Sequence, residues 1–180
     1  GLLYLTGFNI WGTKAKGKTF LGRVRPNPKR TWIVPTHVQV AKRGILLRFA
    51  APLDLKSASK PASYEVRRWN YKRTPNYGSP HYKLDETKGT ETLVVASVKL
   101  SADKQAVFLG IPNMREVMQI EVGYKMSAMG GAQIQNKTFL TAHLLRKMVL
   151  DERGFVDDKV NLQVDGLAPI AKRPAKPSLE

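Results

Sequence analysis

Wherever the chain is regular, hydrophobic residues recur at every second position. Val38 and Val40, then Ile45, Leu47 and Phe49, flank a basic turn at 41–44, and a period of two puts each set on one face of a pleated strand. This predicts a β-hairpin. Residues 92–100, 106–111 and 117–125 are three more strand-like runs rich in Val, Ile, Phe and Tyr, separated by polar turns at 101–105 and 112–116. Helical pattern is scarce. Residues 54–59, after Pro52, fit one helical turn. Residues 141–150 fit helix or strand, and their first half reads better as strand, with Phe139, Thr141 and His143 on one face and Leu140, Ala142 and Leu144 on the other.

Short strands at this spacing with little helix predict an all-β fold, an immunoglobulin- or fibronectin-like β-sandwich. The sandwich is assigned to 36–150. Residues 1–35 differ in character: GLLYLTGF reads as a strand, NIWGTKAKGKT as a Gly- and Lys-rich loop, and LGRVRPNPKRTWIVP as an extended piece broken by three prolines. They form an extended N-terminal lead-in, expected to pack on the sandwich or on an upstream domain. From 151 onward the pattern decays into APIAKRPAKPSLE, too poor in apolar surface to order itself, so 151–180 is expected to be a linker or flexible C-terminal tail.

Charge changes the picture next. Thirty Lys and Arg against fourteen Asp and Glu give a net charge of +16, which predicts attraction to polyanions. The excess is local, since no acid precedes Asp54. With no cysteine, disulfides, thiolate metal sites, cysteine nucleophiles and C-x-x-C-H haem attachment are all excluded. No run of about 18 apolar residues is present, so no membrane insertion is expected. The start lacks Met and a basic n-region, as a fragment or mature piece would.

Catalytic chemistry finds no constellation. His37, His81 and His143 stand far apart, without the spacing that converges metal ligands. Ser79 lacks a nucleophile elbow, and adjacent Asp85 and Glu86 would point to opposite strand faces. The letters GTKAKGKT from Gly12 match a phosphate-binding loop, but the FLGRVRPNPKR that follows is interrupted by prolines where that motif needs a helix. The chain is therefore expected not to be an enzyme and to carry no cofactor or metal.

What remains is RRWNYKRTPNYGSPHYK, residues 67–83. If Tyr64 and Val66 face the core of a strand, Glu65, Arg67, Trp69 and Tyr71 share the opposite face. The loop that follows adds Tyr77 and Tyr82 beside Pro75, Gly78 and Pro80, which stiffen it. Exposed rings with Arg and Lys can stack on sugars, stack on nucleic-acid bases, or anchor a protein interface.

The stretches GILLRFAAPLDLKSAS, YEVRRWNYKRTPNYGSPHYKLDE, VVASVKLSADKQAVFLGIPNM and VMQIEVGY resemble an immunoglobulin-like module of large secreted, cytochrome-containing proteins of planctomycetes and verrucomicrobia. There it follows a sorbosone/glucose-dehydrogenase-like β-propeller, and GLLYLTGFNIWG is similar to the last propeller strand and its exit. The resemblance covers roughly residues 1–145 and implies no catalytic residues. It implies an accessory module of a secreted or periplasmic multidomain protein, partnered by an upstream β-propeller. The combined expectation is a non-catalytic module binding carbohydrate, an acidic polysaccharide or other polyanion included. Trp69, Tyr71, Tyr77 and Tyr82 would be its stacking surfaces, and Arg67, Arg68, Lys72 and Arg73 its polar contacts. The alternatives are a structural interdomain module without ligand and a nucleic-acid or polyanion binder.

Overall fold

The computed structural model describes residues 3–8, 19–25, 33–148 and Phe155. The chain divides into two compact units, Gly1–Trp32 and Ile33–Glu180.

In the first unit, β1 (Leu3–Phe8) pairs antiparallel with β2 (Thr19–Val24) as a two-stranded hairpin. Leu3 lies opposite Val24, Leu5 opposite Gly22, and Gly7 opposite Phe20, so these six share one wholly apolar face. Leu3, Leu5, Phe20 and Val24 are all exposed on it. The Phe20 ring folds over Gly22, where a Cβ would collide with it. The expected loop of residues 9–18 lies outside the described residues, but Thr19 opens a strand, not the helix that a phosphate-binding loop leads into.

The second unit is a β-sandwich. β3 (Pro35–Ala41) and β4 (Gly44–Phe49) form the hairpin read from the sequence, and they join β7 (Ser97–Leu100) and β8 (Ala106–Gly110) in a sheet of order β3-β4-β8-β7. β5 (Tyr64–Trp69), β6 (Glu91–Leu93), β9 (Val117–Ser127) and β10 (Gln133–Ala142) form the other, of order β10-β9-β5-β6. All pairings within both sheets are antiparallel. The order corresponds to an immunoglobulin-type sandwich with one added strand: the first, second, sixth and fifth strands of the unit make one sheet, and the extra strand β6 lies beside β5 in the other. Ile45, Leu47, Phe49, Val107 and Leu109 of one sheet meet Tyr64, Val66, Ile120, Val122 and Tyr124 of the other in a single core. Phe49 and Tyr124 touch edge to face across it, with ring centroids 5.6 Å apart.

One end of the sandwich is closed by the expected helical turn, α1 (Leu55–Ala58). Asp54 caps it by accepting from the Ser57 amide at 2.9 Å. The Tyr64 hydroxyl donates to the Ala58 carbonyl at 2.7 Å, tying the start of β5 to the turn. Burial pushes the Tyr64 phenol well above its ordinary range.

Two expectations are corrected in detail. The apolar run 92–100 is not one strand: β6 ends at Leu93, and the chain crosses to the other sheet before β7 begins at Ser97. Within the stretch assigned to the tail, Phe155 is buried with Leu46, Ala106 and Phe108, so the outer face of β4 and β8 is covered from that stretch. An aromatic that covers an opposed Leu–Phe pair is worth burying however polar its neighbours are.

Candidate functional site

The strand phase read for 64–71 is correct, and the site follows from it. On β5, Tyr64, Val66 and Arg68 point into the sandwich, while Glu65, Arg67 and Trp69 lie on the outer sheet face. A second layer then covers part of that face. Residues 70–90 turn back along β5: Asn70 and Tyr82 exchange backbone hydrogen bonds at 2.7 and 2.9 Å, and Tyr82 also bridges to Lys88. The Asn70 side chain accepts from the Met118 amide at 2.9 Å, fastening the loop base to β9. Glu86 at φ 71° and Gly89 at φ 125° make the reversals.

This layer decides which predicted residues are available. The Trp69 ring lies under His81, stacked at 4.4 Å and 20°, with Tyr71 edge-on at 6.5 Å. Trp69 is only 5% exposed and offers no open stacking face; the sequence expectation for it is corrected by the His81 lid. Arg68 is corrected too: at 4% exposure it donates Nε to Glu91 at 2.7 Å and Nη1 to the Asn113 carbonyl at 2.7 Å, so its charge is used inside the fold. Arg67 is held on Glu121, its Nη2 lying 2.5 Å from Oε1, and Lys137 reaches the same oxygen at 3.1 Å. Burial alone would raise the Glu121 carboxyl, but hydrogen bonds from Arg67 and Lys137 outweigh it and hold it below the usual carboxylate range.

The remaining five are presented outward to different degrees. Tyr82 is half-buried and carries the Lys72 ammonium 4.7 Å above its ring, while Lys72 also pairs with Glu86 at 3.2 Å. Tyr71 is exposed at 38% on the upper side of the ring stack. Arg73 is exposed, and Tyr77 is completely so at 109%, beside Gly78 at φ 79°. The fold therefore splits the cluster between the two faces of β5 and leaves Tyr71, Arg73 and Tyr77, joined by His81, as its open members.

Sequence reasoning missed a second basic group. A parallel bridge sets Arg146 beside Ala41, and the Lys42 amide donates to the Arg146 carbonyl at 2.9 Å. Lys42, Arg43, Arg146 and Lys147 are thereby gathered at one end of the sandwich, all exposed and with no acidic partner among the described residues. The only sequence signal was two basic pairs, Lys42–Arg43 and Arg146–Lys147, more than a hundred residues apart. Among the described residues, no three His, Asp or Glu side chains converge to hold a metal, and no helix is long and apolar enough to cross a membrane. Comparison with known proteins returns no match: no family model fits the sequence, and no curated protein or solved structure matches it.

Proposed function

We propose that the chain is a non-catalytic β-sandwich module that binds carbohydrate, acidic polysaccharide included, within a secreted or periplasmic multidomain protein. The observation that carries the reading is the placement of Tyr77 and Arg73. A fully exposed ring and an exposed guanidinium project from a loop whose base is fastened by paired backbone bonds and a ring stack. An exposed aromatic stacks on a sugar face through apolar contact. The gathered cations at Lys42, Arg43, Arg146 and Lys147 add attraction for an acidic chain that weakens with salt.

Calorimetric titration of an acidic polysaccharide, a neutral oligosaccharide and a single-stranded oligonucleotide, at low and high salt, tests it. Tyr77→Ala is expected to weaken glycan binding about tenfold, on the scale of a single anchor residue. Tighter binding to the oligonucleotide, falling steeply with salt, would move the assignment to nucleic acid. Silence with all three would leave the module structural.

The structural interdomain reading has its own support in the β1–β2 hairpin. Two strands alone are marginal in water, and this pair exposes Leu3, Leu5, Phe20 and Val24 on one face. Docking on an upstream domain would cover that face. The isolated chain is accordingly expected to self-associate in sedimentation, and Leu5→Lys with Phe20→Ser to restore a monomer. An unaltered association state would remove this support.

A further inference from the structure

We infer that the outer face of the β10-β9-β5 sheet carries a saccharide subsite centred on Gly123, separate from the 70–90 loop. The inference rests on the carbohydrate reading and gives it a second contact surface. An open trough of about 530 Å³ crosses the sheet there, inside the range of roughly 300–1,000 Å³ usual for ligand sites. Glu65 of β5, Gly123 and Lys125 of β9, and Gln135, Lys137 and Phe139 of β10 line it.

Gly123 is the unexplained residue. It sits inside an eleven-residue strand, directly opposite Glu65 on one side and Lys137 on the other. Its φ is not positive, so no turn requires glycine. A Cβ there would lie 3.6 Å from the Glu65 carbonyl and 3.9 Å from Lys137 Cγ, which is ordinary contact, so no close packing requires it either. Glycine is the weaker choice for a strand interior, and in that position it often marks the approach of a ligand. Here its missing side chain is the floor of the trough.

The lining selects the ligand class. The backbone of β9 at Gly123 is already paired with β10 and β5 on both sides, so no peptide can add as a strand and recognition must come from side chains. Phe139 is 58% exposed and supplies one ring face. Glu65, Lys125, Gln135 and Lys137 supply donors and acceptors within the same trough. Lys137 is held by Glu121, and Glu65 contributes a carboxylate, so a phosphate backbone is poorly matched. A neutral sugar ring in a glycan chain fits, lying over Gly123 and against Phe139. The trough lies along β5 from Trp69, at about 13 Å for four strand residues.

The experiment is titration of neutral β-1,4-glucan, xylan, mannan and galactan hexasaccharides with amide-shift mapping by NMR. With the hexasaccharide that binds, shifts are expected at Gly123, Lys125 and Lys137. Gly123→Val, which fills the floor, and Phe139→Ala, on the exposed surface, are each expected to weaken binding at least tenfold with thermal midpoints retained. Should Gly123→Val misfold, Phe139→Ala and the shift map still decide. Shifts confined to 71–83, with full affinity in both variants, would overturn the trough and leave the loop reading standing. No binding of any hexasaccharide by the unaltered chain would overturn the trough directly, and silence toward acidic polysaccharide as well would remove the function it rests on.

Discussion

Trp69→Ala is expected to destabilise the sandwich by about 3–5 kcal/mol, the usual range for emptying a buried aromatic site. The ring is 5% exposed and lies beneath His81, with Tyr71 against its edge. Removing it opens a void under the 70–90 layer and leaves His81 and Tyr71 with only their own edge-on contact at 5.7 Å. Against a total stability of roughly 5–15 kcal/mol for a domain, that is a large fraction. Trp69→Phe is expected to lose much less, because a smaller ring still stacks and the indole Nε1 makes no hydrogen bond to the protein. Tyr77→Ala, at a fully exposed position, should stay within about 0.5 kcal/mol of the unaltered chain. Urea denaturation of the three variants reads this order directly. If Trp69→Ala unfolds at the unaltered midpoint, the ring is not covered in solution and returns as a ligand-stacking surface.

That ordering separates two roles that the sequence merges. In RRWNYKRTPNYGSPHYK every ring and cation looks equally available, because alternation gives the face of a residue and not what lies above it. The phase of β5 was legible from Tyr64 and Val66, and the hairpin from the period-two pattern across 38–49. The His81 lid was not: it depends on a backbone pairing between Asn70 and Tyr82 and on a positive φ at Glu86, a residue that composition does not mark for it. The same phase puts Arg68 on the inward face with Tyr64 and Val66; what the sequence hides is its partner, because the carboxylate that makes its burial tolerable stands twenty-three residues on. The trough was hidden because its signal is an absent side chain. Gly123 means little in IEVGYKM until Lys137 and Glu65 are known to flank it.

The second large effect is expected at the Arg68–Glu91 pair. Glu91→Ala leaves a guanidinium at 4% exposure with only the Asn113 carbonyl to meet it, and should destabilise by about 3–5 kcal/mol, the range for stranding a buried charge. Arg68→Ala removes the buried charge itself and leaves Glu91, 27% exposed, able to reach water, so its smaller effect of about 2–3 kcal/mol comes mainly from lost packing and hydrogen bonds. Arg68→Met combined with Glu91→Leu replaces the pair by apolar groups of similar volume and should lie within about 1 kcal/mol of the unaltered chain. A double-mutant cycle in urea built from Arg68→Met, Glu91→Leu and their combination therefore yields a coupling well above the ~0.5 kcal/mol seen between independent sites. Additive single effects near zero would mean that Arg68 is not committed to the fold, and it would then rejoin Arg73 among the cations open to an acidic ligand.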